Sequence, residues 1–341
     1  MSDTAALPTK SFIDQLLPPS WPQIALAAAI LALLALAAIS LDQLWPAVWQ
    51  DGYWSIILTA PTVIIYILIV SHVMVPFQAN AVNSLRRISS LEDAAVDQLI
   101  QQTEAHERKW AVPALALGFA FGFIATSPWS NGDRFSWLMW YLALVNGLMF
   151  ALIALVIQTS LASSRLTSHL QQQPLDFDIF YTAPFLPIGL HSLISALAFI
   201  GGSTIVIFFS AIGRQGLILV DLILHGILIL ITLLIFFLPM RQTHRVLRDA
   251  KLEEQRKLRR QLAAAYRRLE QMTLEEKQED ILNFATEVNL WQGYEERLKS
   301  VPTWPFNAGI LRTLFASILL PILVTLGQRL LAFLLVELGI H

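Results

Sequence analysis

The sequence predicts an all-α, polytopic transmembrane helical bundle of about seven spans, with a cytoplasmic antiparallel helical hairpin between spans six and seven. The first observation is composition, because 55% of the 341 residues are hydrophobic and only 14% are charged. Soluble domains carry roughly a quarter charged residues. The second observation is a series of long apolar stretches, and the third is a long polar segment rich in helix-forming residues at 239–307.

Seven apolar stretches are long enough to cross a bilayer. A helix needs about 20 mostly apolar residues, at a rise of 1.5 Å each, to cross a hydrocarbon core of roughly 30 Å. The stretches are 22–41, 53–75, 110–127, 135–160, 187–211, 216–238 and 308–335. The last has the weakest support, because Pro321 interrupts it and Arg329 lies near its far end.

The distribution of basic residues predicts the orientation, since Lys and Arg accumulate on the cytoplasmic side of membrane proteins. With the N-terminus inside, the outer loops hold only Arg134 and Arg214, and all basic residues from 241 to 299 lie inside. Tryptophans fall at both predicted interfaces, which agrees with this arrangement. We therefore predict a cytoplasmic N-terminus, an outer C-terminus and a location in the plasma membrane, with a bacterial inner membrane favoured.

The predicted outer loops are short, so any sizeable recognition surface must face the cytoplasm. The bundle has inner helical loops at 76–109 and 161–186. The predicted parts are a cytoplasmic tail at 1–21, a six-span bundle at 22–238, the cytoplasmic hairpin at 239–307, and the seventh span with a short outer C-terminus at 308–341.

The hairpin is predicted from its residues. The stretch 240–272 contains neither Gly nor Pro and is rich in strong helix formers. A coiled-coil seam of about two heptads is indicated by the 4-3-4-3 spacing of its apolar residues. These residues are Leu258, Leu262, Ala265, Leu269 and Met272.

Two capping boxes are predicted to begin helices outside the bilayer. One is Ser89 with Glu92, before the polar run at 94–109, and the other is Thr273 with Glu276, before the second helix of the hairpin. In this motif the hydroxyl and the carboxylate each accept a hydrogen bond from a free N–H group of the first helical turn.

Intramembrane ionisable residues are costly and are therefore candidates for function. Asp221 and His225 lie four residues apart, on one face of span six. Asp221 and Arg329 lie at similar depths, roughly 27 and 30 Å from the inner ends of their spans at helical rise. A clasp between the two helices is the simpler interpretation, and a proton or cation relay extended by Asn146 and Gln158 is the functional one.

Other motifs point to packing or to lipid contact. Gly118 and Gly122 form a GxxxG pattern that allows two helices to approach closely. Gly201 and Gly202 indicate a flexible or tightly packed point in span five, and His191 is expected to be a wetted residue near the inner interface.

Basic residues at the start of the hairpin are candidates for contact with anionic lipids, although positive-inside anchoring together with a solvated helix face is the simpler explanation. They are Arg241, Arg245, Arg248 and Lys251.

Several function classes lose support. The absence of cysteine excludes disulfides, thiolate nucleophiles and Cys-ligated metals. No hydrolase, Walker, kinase or metalloprotease motif is present, so no cofactor or metal is expected. The near balance of 23 Lys and Arg with 25 Asp and Glu gives no reason to expect nucleic acid.

The leading hypothesis is a non-enzymatic scaffold or signalling module, acting through self-association or partner docking of the hairpin. Its expected partners are the lipid bilayer, anionic lipids, and either a second copy or a cytoplasmic protein. The alternative is an ion channel or ion-coupled transporter using Asp221, His225 and Arg329. A membrane enzyme acting on lipid is a third hypothesis, which rests on location alone.

Overall fold

A computed structural model describes residues 21–50, 53–129, 136–213, 219–274, 278–304 and 308–337. Its elements are α1 (Trp21–Leu41), α2 (Trp45–Gln50), α3 (Tyr53–Ile88), α4 (Asp93–Thr126), α5 (Trp137–Gln171), a 3-10 turn (Ala183–Phe185), α6 (Leu186–Gly213), α7 (Leu219–Leu274), α8 (Gln278–Ser300) and α9 (Ala308–Glu337). The described ranges contain helices and no strand, which confirms the all-α class.

Six helices in the described ranges are long and apolar enough to cross a membrane. They are Trp21–Leu41, Tyr53–Ile88, Asp93–Thr126, Trp137–Gln171, Ala183–Ser210 and Gly226–Arg268. In α9 the described residues contain a shorter apolar stretch, Gly309–Leu320, which is not long enough to be a candidate span, although the helix continues through Pro321. The structure therefore confirms an all-helical fold with six candidate membrane-spanning helices, and the seventh span stays a prediction.

The helices are longer than the bilayer requires. α3, α4 and α5 contain 36, 34 and 35 residues, or roughly 50 Å each at helical rise, compared with a hydrocarbon core of roughly 30 Å. Much of the predicted inner loops at 76–109 and 161–186 is therefore a continuation of the membrane helices rather than separate structure.

The predicted capping box of Ser89 and Glu92 is wrong. Glu92 itself is the N-cap of α4, and no side-chain hydrogen bond caps this end. Ser89 instead pairs with Leu175 in an isolated β-bridge. The neighbouring backbone explains the difference, because the Ser90 amide donates to the Pro174 carbonyl at 3.0 Å and so joins two inner connections.

The second predicted capping box is also wrong at Thr273, which is the one of its two residues that the structure describes. Thr273 lies inside α7, which ends at Leu274, and α8 begins at Gln278. Glu276 lies outside the described residues. Because α7 continues through the predicted boundary, Thr273 cannot be an N-cap there.

Four helices form a ring that positions the interior of the bundle. α3 packs against both α5 and α6, and α7 packs against the same two helices. Outside this ring, α4 lies along α5, α1 covers α3 and α5, and α9 packs on α6. α5 and α6 therefore face each other across the ring.

The start of α5 is capped from another part of the chain. Asp42, in the turn after α1, accepts hydrogen bonds from the Leu138 amide at 2.7 Å, the Ser136 hydroxyl at 2.8 Å and the Trp137 amide at 3.0 Å. Free N–H groups at a helix start carry partial positive charge, so a carboxylate is favourable there. Burial alone would raise the pKa of Asp42, but these hydrogen bonds outweigh it and lower the pKa.

This cap predicts a pH-dependent stability. Because the pKa of Asp42 is lower in the folded state, its contribution is present above the unfolded pKa and is lost as pH falls through the folded pKa. Asp42→Ala should destabilise the protein by about 1 kcal/mol, the usual cost of losing an N-cap. Asp42→Asn keeps an acceptor and should retain much of the stability at neutral pH, while losing this acid-dependent component. Thermal unfolding in one detergent between acidic and neutral pH measures both effects, and identical profiles for all three proteins would contradict the assignment.

Candidate functional site

The three ionisable residues singled out by the sequence lie on two helices. Asp221 and His225 are in α7, and Arg329 is in α9. The structure describes their helical backbone, and their side chains lie outside the described residues. Both helices pack against α6. A pair between Asp221 and Arg329 therefore stays a prediction.

The polar residues expected to extend a relay face α4. The Asn146 side-chain amide donates to the Thr126 hydroxyl at 3.3 Å, and the Gln158 amide donates to the Glu107 carbonyl at 3.1 Å. Each contact links α5 to α4. In these positions Asn146 and Gln158 act as interhelical clasps.

The two glycines of the GxxxG pattern lie where α4 and α5 touch. A Cβ atom at Gly118 would stand 2.5 Å from the Phe150 carbonyl oxygen, and one at Gly122 would stand 2.5 Å from the Asn146 carbonyl oxygen. No other residue allows the two backbones this separation. The contact is therefore a close glycine-mediated crossing within one chain.

A buried polar cluster bridges α5 and α6 across the ring. His191 is only 8% exposed, and its Nε2 atom lies 3.2 Å from the Ser163 hydroxyl oxygen. Its expected role as a wetted interfacial residue is wrong, because the neighbouring helices of the ring enclose it. A sequence signal was available, since α5 carries polar residues at successive turns of one face. These are Ser160, Ser163, Thr167 and Gln171, all buried.

Several atoms of this cluster have no hydrogen-bond partner among the described protein atoms. They are Ser160 Oγ, His191 Nδ1, Ser192 Oγ and Gln171 Oε1. Buried polar groups are almost always hydrogen-bonded, so such a cluster favours binding of water or of a polar solute. Gln171 also donates to the Thr243 hydroxyl of α7 at 2.7 Å, which ties three helices of the ring together. The hydroxyls and the imidazole are groups that can pass a proton between them.

Metal binding finds no support in the described part of the chain, where no group of three or more His, Asp or Glu side chains is arranged to hold an ion.

The four basic residues at the start of the hairpin differ in their contacts. Arg241, Arg245 and Arg248 are exposed, and Arg248 lies 3.3 Å from Asp249. Lys251 donates to the carbonyl oxygens of Lys299 and Val301, both at 2.7 Å. Lys251 therefore caps the carbonyl end of α8, whereas the side chains of the three arginines are exposed.

Further contacts join α8 to α7. Tyr294 donates to the Glu254 carboxylate at 3.3 Å, and Gln292 donates to the Tyr266 hydroxyl at 2.6 Å. Together with Lys251, these contacts pair earlier residues of α7 with later residues of α8, so the two helices run antiparallel. A small apolar core lies between them, made of Leu258, Leu262, Leu298 and Val301.

Of the seam residues, Leu258, Leu262 and Ala265 are buried. The side chains of Leu269 and Met272 lie outside the described residues.

The fold and these contacts define a helical protein with six candidate membrane spans, a buried polar cluster and an antiparallel pair formed by α7 and α8. No protein-family model matches the chain, and no curated protein or solved structure matches it either.

The glycine crossing gives a matched test. Gly122→Ala places a methyl group against the Asn146 carbonyl and should destabilise the protein by about 1–3 kcal/mol, as overpacking does. A Cβ atom at Gly226, on α7, meets nothing within 4 Å. Gly226→Ala should therefore leave the melting temperature unchanged or raise it slightly, since alanine favours helix. Equal melting temperatures for the two variants in one detergent would rule out the crossing.

Proposed function

We propose that this chain is a non-enzymatic membrane protein whose α7–α8 hairpin is a cytoplasmic docking module, acting as a scaffold or signalling element through self-association. In this proposal the protein spans the plasma membrane seven times, with its N-terminus inside and its C-terminus outside. The basic residues at 241–268 support the cytoplasmic placement of the hairpin.

The continuity of α7 supports a mechanical link between membrane and hairpin. α7 contains 56 residues, or about 84 Å at helical rise, of which a bilayer core takes roughly 30 Å. Pro239 lies inside the helix without ending it. A change in the tilt or rotation of α7 in the bundle would therefore be carried directly to the hairpin.

Exposed apolar side chains on the polar part of α7, beyond the predicted span at 216–238, carry the proposal. Leu252 is 40% exposed and Tyr266 is 46% exposed, on the polar part of α7. They are two heptads apart and thus lie close to one helical face. Leu290, on α8, is 71% exposed. In this proposal Leu252 and Tyr266 belong to one docking face, since contiguous exposed apolar patches mark interaction sites.

The charges of the two helices favour a second copy as the partner. Residues 241–274 contain ten Lys or Arg and four Asp or Glu, whereas residues 278–300 contain five Asp or Glu and two Lys or Arg. The basic α7 of one copy and the acidic α8 of another are complementary, and such complementarity guides association.

The absence of native cysteine allows a direct test in membranes. Leu252→Cys and Tyr266→Cys should each form dimers with a short bismaleimide cross-linker in the full-length protein. Gln261→Cys is the control, because Gln261 is exposed and lies on the opposite face from Leu252. Adding Leu252→Glu to the Tyr266→Cys protein should abolish its dimer, since a carboxylate would be buried at the contact.

Dimers that form equally well at Gln261→Cys, or that are absent at both test positions, would contradict self-association through this face. A dimer that survives Leu252→Glu would do the same.

An ion channel or ion-coupled transporter is the second candidate, favoured by the buried cluster of His191, Ser163 and their neighbours across the ring. Protonatable and hydroxyl groups that bridge two membrane helices are typical of conduction and coupling sites. In this candidate Asp221, His225 and Arg329 lie near the outer end of the pathway.

Proteoliposomes carrying a pH-sensitive dye test this candidate. Proton flux driven by a potassium-valinomycin potential should fall by roughly tenfold or more in His191→Ala, Asp221→Asn and His225→Ala. Asn146→Ala is the control, because Asn146 contacts Thr126 on α4, and its flux should stay near that of the unmodified protein. Flux that is absent, or equal in all of these proteins, eliminates the candidate.

A further inference from the structure

An elongated cleft runs along the membrane part of the ring. It has a volume of about 90 Å³, is partly open, and is lined by α3, α5, α6 and Leu228 of α7. Its lining extends from Val63 to Gln78 along α3, which is roughly 22 Å at helical rise. That length is most of the roughly 30 Å hydrocarbon core. Because the volume is small and the cleft is partly open, an extended chain would lie along the cleft with part of its surface still in the bilayer.

The lining selects against charge. None of its described residues is an acid, a basic residue or a histidine, and most are aliphatic, as at Val70 and Val156. A charged ligand would enter without a counter-charge, which is costly in an apolar environment. The ligand class that fits is therefore uncharged and largely hydrocarbon.

The polar groups of the lining also favour a particular kind of ligand. Its hydroxyls belong to Tyr66, Ser71, Thr159 and Ser203. Each donates its proton to a backbone carbonyl, at 3.1, 2.9, 3.1 and 2.9 Å respectively. A hydroxyl oxygen that has donated its proton still accepts through its lone pairs. These groups therefore offer acceptors for a ligand that carries its own O–H donor.

Two adjacent glycines form the wall beside Tyr66. A Cβ atom at Gly201 would overlap the Tyr66 hydroxyl oxygen, so glycine there holds the phenol in place. A Cβ atom at Gly202 would meet the Tyr66 ring at 3.6 Å, an ordinary contact. Gly202 also lines the cleft. A larger side chain at this position would therefore occupy the ligand space.

We propose that this cleft binds an uncharged long-chain alcohol, a lipid-like molecule whose hydrocarbon chain lies along α3 and whose hydroxyl donates to Thr159, Ser203 or Ser71. The bilayer around the apolar helices is the source from which such a molecule would partition. This site is separate from the hairpin surface, and its occupancy does not depend on self-association.

Photo-labelling tests the proposal on the full-length protein in lipid nanodiscs. The probe is hexadecanol carrying a mid-chain diazirine, and the competitors are plain hexadecanol, hexadecane and palmitate. We expect labelled peptides from 63–78 and 198–206, with competition by hexadecanol and much weaker competition by the other two. Gly202→Leu should reduce this labelling by roughly tenfold, because the leucine replaces the chain in the cleft.

Gly226→Leu is the matched control, since its side chain would enter open space and should leave labelling unchanged. Thr159→Val keeps the shape of the wall but removes a hydroxyl, and should reduce the preference for hexadecanol over hexadecane. The labelling of the three variants is compared only if their melting temperatures and elution profiles equal those of the unmodified protein. If Gly202→Leu does not fold, Thr159→Val alone is the test.

Labelling confined to lipid-facing peptides would overturn the proposal. Equal competition by hexadecane or palmitate, or an unchanged alcohol preference in Thr159→Val, would overturn it as well.

Discussion

The absence of water in the hydrocarbon core is the constraint on which this structure depends. Each backbone N–H and C=O group must find its partner within the chain there, and a helix supplies both from its own residues. Helix α7 joins an apolar part and a polar part without a break, since it runs through Pro239 to Leu274. The antiparallel pair that α7 forms with α8 is therefore continuous with the bundle.

Close packing and polar side chains hold the bundle together, since lipid provides little hydrophobic drive between helices. Gly118 and Gly122 bring α4 against α5, and Asn146 and Gln158 hydrogen-bond across the same contact. On the other side of α5, the polar residues face α6 and α7 and meet His191 and Thr243. One helix thus carries a sealed interface on one face and a buried polar cluster on the other.

Local sequence patterns predicted the helical membrane class, because length and hydropathy are properties of single segments. The contacts that needed tertiary information were missed. Asp42 caps a helix that begins almost a hundred residues later, and Ser89 pairs with Leu175 instead of capping α4. The burial of His191 depends on the neighbouring helices of the ring, which the composition of a single span does not show. Leu258 and Leu262, which the repeating spacing along one helix singled out, are buried in a small apolar cluster, and the coiled coil stays a prediction.

The central claim is a membrane bundle with its helix pair on the cytoplasmic face. Measuring which side of the membrane individual residues face tests this claim most directly. Single cysteines at exposed Gln101, Gln172 and Gln261 are probed with a membrane-impermeant maleimide in intact cells, alongside one at exposed Gln43. Our account predicts labelling of Gln43→Cys in intact cells and of the other three only after permeabilisation. Labelling of Gln261→Cys in intact cells, or of Gln43→Cys only after permeabilisation, would contradict it.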